Sequence, residues 1–383
     1  MFTQNISFKN FLIKKKNFTV KKNLNLILNE KNQVISSLSK SYKDRFSKKS
    51  TKHLNKKFDY RIIGMGGSTL GAQAIYDFLK RKIKKNFVFV DNLNAFKKKT
   101  KKNFNNLIIS KSGNTTETIV NANILIKKKD KNLFITEKKK SYLNLLAQKL
   151  KAEVVDHNNY IGGRYSVLSE VGMLPAELMG LNHKKFRQLN NLVKNKFFMK
   201  TLVSNVEATI YFLKAKKFNS VIINYDEQST NLFNWYQQLV AESLGKDKKG
   251  ILPIISIMPK DNHSVMQLYL DGFKNNFFTF FYSHENNSSK INNDSVLLEQ
   301  KFLKNKNINQ IMFAQKKATE IVFKKKNIPF RSFEIKKRDE KTLGELFCFF
   351  ILETILIGKT LKINPFDQPA VELIKKETKK ILL

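Results

Sequence analysis

The sequence predicts an α/β protein of doubly wound parallel sheets, arranged as two domains. Three observations lead there. Short apolar runs alternate with helical segments in units of ~30 residues, the pattern of βαβ crossovers. The 383 residues exceed what one hydrophobic core usually serves. Two of the apolar runs end in turns rich in glycine or hydroxyls, as strands do where a parallel sheet meets a ligand.

Taken in order, residues 1–57 are polar and basic with helical spacing, and read as an N-terminal helical arm. "YRIIGMGGS" (60–68) is a strand running into a glycine turn, with a helix over 69–80. Strands follow at 86–92 and 106–110, then a hydroxyl-rich turn and a helix over 116–128. A strand at 132–137, a helix to about Leu150 and the strand "AEVVDH" complete the first alternation. Residues 165–200 have helical spacing. The second alternation places strands at 220–227, 251–257, 276–284 and 328–334. Its helices fall at 229–244, 262–273, 310–325 and 341–359, with a basic, Asn-rich loop at 285–305. The expected division is an arm at 1–57 and domains at 58–200 and 201–383.

The formal charge of +40 invites a nucleic-acid reading. However, 64 of the 71 basic residues are Lys and only seven are Arg. Asn, Ile and Phe are abundant too, which marks AT-rich coding. Base-reading surfaces lean on Arg and interleaved aromatics. The lysines instead lie in short runs such as Lys138-Lys139-Lys140. The excess therefore reads as solvated surface, with no nucleic-acid partner expected. It would still draw in small anions. The single cysteine, Cys348, stands in an apolar helix and reads as a buried thiol. No apolar run approaches the ~20 residues of a membrane span. No secretory leader pattern opens the chain. A cytoplasmic protein without a membrane partner is expected.

Two turns ask for a phosphate. "SKSGNTTET" (110–118) places Ser110, Lys111, Ser112 and Thr115 at a strand end, just before a helix. A helix N-terminus offers unpaired N–H groups and partial positive charge. A helix cap needs one or two hydroxyls, not this many. "GMGGS" (64–68) offers close backbone approach at Gly67 and a donor at Ser68. Neither the dinucleotide pattern G-x-G-x-x-G nor a Walker A pattern is present. No His, Cys and Asp cluster has metal-ligand spacing, and no cofactor is expected.

With "GGRYSVLSEVGMLPAEL" (162–178), "QQLVAESLGK" (237–246), "DNHSVMQ" (261–267) and "QPAVELIKK" (368–376), these turns stand in the order found in glucose-6-phosphate isomerases. The chain resembles that family over roughly residues 60–376. The resemblance implies two sugar-isomerase (SIS) domains, a homodimer, and metal-free interconversion of glucose 6-phosphate and fructose 6-phosphate. It implies that Glu242 shuttles the proton between C1 and C2, a task that suits a carboxylate. It assigns Arg164 to the enediol, whose negative charge needs a fixed cation. A planar, permanently charged guanidinium is not replaceable by Lys there. His263, supplied across the subunit interface, and Lys375 are implied for ring opening. Gln238 and Gln368 are implied for substrate binding. Gln238 lies one helical turn before Glu242 and shares its face. The sequence departs from the family at Leu244, where Asn is usual, and at Ala370 and Ile374, where Gly is usual. The phosphate turns also suit a dual mannose/glucose 6-phosphate isomerase, or a non-catalytic sugar-phosphate-binding regulator.

Overall fold

The structure, a computed structural model, describes residues 2–13, 17–95, 101–285 and 287–383. Among these, ten strands build two five-stranded sheets. They are β1 (Ile6–Lys9), β2 (Asp59–Gly64), β3 (Phe87–Val90), β4 (Phe104–Ile109) and β5 (Lys131–Thr136). The others are β6 (Glu153–Asp156), β7 (Asn219–Asn224), β8 (Leu252–Ile257), β9 (Asn276–Ser283) and β10 (Phe330–Ile335). One sheet has the order β3-β2-β4-β5-β6 and is wholly parallel. The other has the order β1-β10-β9-β7-β8 and is parallel except for β1.

The strands are apolar on both faces because helices cover both. Along β2, β4 and β5, alternate residues turn to opposite sides. Ile62, Leu107, Leu133 and Ile135 join a large shared core, whereas Ile63, Ile108 and Phe134 join a smaller outer one. The second sheet does the same, sending Val221, Ile223, Phe278 and Phe280 to its own outer core. Between the sheets, the Leu70–Phe78 and Thr230–Leu244 helices pack together. There Asn231 Nδ2 donates to the Asp77 carboxylate. The Glu340–Thr360 helix is apolar nearly all round and buried from Thr342 to Gly358, as a central helix must be. Cys348 lies within it, its thiol pushed up to about 12 by burial.

The structure departs from the sequence reading in four places. The arm is helical at Phe18–Asn29 and Gln33–Ser37, but it begins with β1, which pairs antiparallel with β10. Ahead of β1, Phe2 packs on Phe198 and Phe349, and Thr3 Oγ1 donates to Glu345 at 2.7 Å. The 165–200 stretch is broken: Glu170–Leu178 ends at Gly180, whose φ of +82° stops the helix. The Lys196–Lys214 helix then runs unbroken past residue 200. Within 285–305, the turns Asn293–Ser295 and Leu298–Leu303 interrupt the loop. Among the described residues no helix is long and apolar enough to cross a membrane.

Candidate active site

Parallel sheets bind ligands beyond the carboxyl ends of their strands, where successive connections leave in opposite directions. In the first sheet that point lies between β2 and β4, since β3 flanks β2 on the other side. Both expected phosphate turns stand there: Gly64–Ser68 ends β2, and Ser110–Thr115 follows β4.

In the second turn, the Ser110 and Thr115 hydroxyls lie 2.8 Å apart. Ser112 Oγ accepts the Asn114 N–H at 3.2 Å. Thr115 is the N-cap of the Thr116–Leu125 helix, yet no side chain caps it. The first-turn N–H groups thus lack a side-chain acceptor from the N-cap, whose hydroxyl is paired with Ser110 instead. Lys111 reaches sideways, donating to the Asn159 carbonyl at 2.7 Å and lying 3.7 Å from Glu137. Burial holds its ammonium below the ordinary lysine range, while Glu137 opposes that shift. In the first turn, Gly66 has φ +52°, and Gly67 lies against the backbone of Gly163 and Arg164. Ser68 closes the Gly66–Ser68 turn.

Arg164 is buried, and every edge of its guanidinium is used. Nε donates to Ser243 at 2.9 Å. Nη1 lies 3.3 Å from the Glu242 carboxylate and also donates to Gln368. Nη2 donates to the carbonyls of Pro365 at 2.7 Å and Asp367 at 3.0 Å. Gln238 Nε2 holds the other Glu242 oxygen at 2.9 Å. Gln238 Oε1 is buried and has no hydrogen-bond partner among the described residues. The Glu242 side chain keeps 32% of its exposure. A fixed cation thus stands beside a carboxylate that a solute can still reach. The 364–368 segment that brings Gln368 is pinned by Lys246, which bonds the Asn364 carbonyl and the Asp367 carboxylate, the latter at 2.6 Å.

The structure therefore gathers Gly67, Arg164, Gln238, Glu242 and Gln368 into direct contact, with the Ser110–Thr115 turn on the neighbouring strand. It does not bring in His263 or Lys375. His263 is exposed on the Lys260–His263 turn after β8. Lys375 projects from the exposed Val371–Leu382 helix and donates to Glu372 at 2.5 Å. Of the departures from the family pattern, Leu244 is buried beside Gly358, while Ile374 is 68% exposed. Sequence reasoning missed Tyr165, Ser243 and Lys246, though each adjoins or shares a motif with Arg164 or Glu242. Among the described residues no grouping of His, Cys, Asp or Glu could hold a metal ion.

Comparison with known proteins identifies the family. The phosphoglucose isomerase family model matches residues 27–383. A glucose-6-phosphate isomerase of Methanocaldococcus jannaschii is 33% identical over 350 residues, covering 85% of this chain and 84% of that one. One of Mycoplasmopsis pulmonis is 34% identical over 351 residues, covering 84% and 82%. Among solved structures, a hypothetical protein of Thermus thermophilus superposes with a TM-score of 0.81 at 21% identity, covering 95% of this chain and 94% of that one. A glucose-6-phosphate isomerase of Chlamydia trachomatis superposes with a TM-score of 0.71 at 17% identity, covering 99% and 81%. The two structures share the fold, and the sequence matches carry the assignment: this chain belongs to the phosphoglucose isomerase family.

Proposed function

We propose that the chain is an aldose–ketose isomerase interconverting glucose 6-phosphate and fructose 6-phosphate. The observation that carries this reading is the 3.3 Å contact between the buried Arg164 guanidinium and the reachable Glu242 carboxylate. The sugar's phosphate sits on the N–H groups and hydroxyls of Ser110, Ser112 and Thr115, with Gly67 and Ser68 on the facing turn. Lys111 adds positive charge to the approach. Glu242 takes the C2 proton of the open-chain aldose. The electron pair forms the C1–C2 double bond, and O1 carries the resulting negative charge. Arg164 stabilises that charge. Glu242 returns the proton to C1, and the C2 hydroxyl proton moves to O1, leaving the ketose. The step moves protons only and requires no electron acceptor. Gln238, whose Oε1 lacks a partner, and Gln368 bond sugar hydroxyls.

Ring opening is assigned to Lys375 and His263. The exposure of His263 leaves it open to the site of a second copy, which suits a homodimer. The two sheets serve as two sugar-isomerase domains, divided near residue 200 at 58–200 and 201–383, with β1 of the 1–57 arm completing the second sheet, in a cytoplasmic enzyme. A coupled assay tests the function: purified protein given fructose 6-phosphate yields glucose 6-phosphate. Mannose 6-phosphate as a comparable product would favour the dual isomerase. Ligand-induced thermal stabilisation without turnover would favour the regulator.

A further inference from the structure

Around Arg164 the hydrogen bonds close into a ring. Arg164 Nε donates to Ser243 Oγ at 2.9 Å. Ser243 Oγ lies 2.8 Å from the Tyr165 hydroxyl, which reaches the Pro365 carbonyl at 3.0 Å. Arg164 Nη2 donates to that same carbonyl at 2.7 Å. The carbonyl can only accept and the guanidinium can only donate. One proton placement therefore satisfies all contacts: Arg164 gives to Ser243, Ser243 to Tyr165, and Tyr165 to Pro365. All three side chains are buried, so water does not compete. The Tyr165 ring lies 5.2 Å from the guanidinium carbon. Burial pushes the phenol above its ordinary value, so it remains a donor.

A guanidinium turns easily about its last torsions, and its value to an enediolate depends on direction. The ring holds the edge bearing Nε and Nη2, and so aims Nη1 at Glu242. It also ties that aim to the 364–368 segment, because Pro365 is a shared acceptor. We infer that Ser243 and Tyr165 are positioning residues for the isomerisation, fixing the plane of Arg164 and locking it to the segment that delivers Gln368. Neither touches the sugar. This inference rests on the roles given above to Arg164 and Glu242.

The test measures kcat and KM for fructose 6-phosphate in Ser243→Ala and Tyr165→Phe. Each lowers kcat by about tenfold or more while KM stays within about twofold. Combining the two costs little beyond the worse single change, because both break one ring. A phosphorylated aldonohydroxamate, which imitates the enediolate, binds Ser243→Ala more weakly by the same factor as kcat falls. In an Arg164→Lys background, Ser243→Ala changes nothing further. Thermal melts confirm folding, and Tyr165→Phe carries the test should Ser243→Ala fail to fold. Folded variants with wild-type kcat, or an equal loss with and without Arg164, overturn the inference alone. A wild-type chain without isomerase activity overturns the functional reading, and this inference with it.

Discussion

Gly67 and Gly163 meet backbone to backbone. A β-carbon on Gly67 would stand 2.2 Å from the Gly163 carbonyl carbon and 2.6 Å from the Arg164 nitrogen. Both neighbours are main chain, so they cannot swing aside. Gly67→Ala should therefore cost stability on the scale of overpacking, about 1–3 kcal/mol. It should also displace Arg164 and lower kcat/KM. Urea unfolding at constant m-value, beside steady-state kinetics, reads both effects.

Glu242→Gln keeps the shape of the side chain and its hydrogen bond to Gln238 but removes the base. The expected loss in kcat is about 10²–10⁴-fold with little change in KM. Exchange of solvent deuterium into the C1 and C2 positions of the sugar should slow by the same factor. Near-normal exchange would reassign the base.

Ring opening by a partner's histidine makes a prediction about mixtures. Glu242→Gln and His263→Ala should each be nearly inactive alone. Co-refolded in equal amounts, half of the dimers would be mixed, and each would hold one complete site. Activity should then recover to about a quarter of wild type. No recovery would place His263 in its own protomer's site, and full activity of His263→Ala alone would place it outside the reaction.

Arg164 supplies the fixed cation in this scheme, so EDTA should leave the rate unchanged. A chelator-sensitive rate, restored by one divalent ion, would show that the charge on the enediolate is stabilised otherwise.

Glu334 offers a test by acid. Burial alone would raise its carboxyl, but the ammonium groups of Lys316 at 2.6 Å and Lys317 at 2.5 Å hold it down at about 2, from the ordinary 4.5. A folded value below the unfolded one gives stability that is present above pH 4.5 and lost as the pH falls toward about 2. Glu334→Gln should flatten the decline of Tm across that window. It should also lower Tm at neutral pH, because the buried Lys316 then loses one of the two carboxylates it pairs with among the described residues, Glu334 and Glu320.

The parts of the molecule that could be read in advance are those whose signal is local. Apolar runs such as Leu107-Ile108-Ile109 are strands because both faces are covered, and their turns declared themselves through glycine and hydroxyls. The site's supporting contacts are not local. Tyr165 and Pro365 stand 200 positions apart, and the acceptor is a main-chain carbonyl, which no residue type announces. Lys111 looked like one more charge for the turn, yet it is spent partly on the Asn159 carbonyl. The strand β1 was missed because "ISFK" buries only Ile6 fully and reads as part of a basic arm. Its pairing partner lies at the opposite end of the chain.

That pairing sets a timetable for biosynthesis. Ile6 to Lys9 leave the ribosome more than 300 residues before β10, the strand they pair with among the described residues. During nearly all of translation the segment has no native place to go. Once released, the chain lays β1 on β10, so the main-chain groups of β10 that could recruit another molecule are covered and only the four-residue β1 is left as that edge of the sheet. Deleting the first ten residues should therefore show itself in a concentration-dependent loss of soluble protein before it shows in turnover.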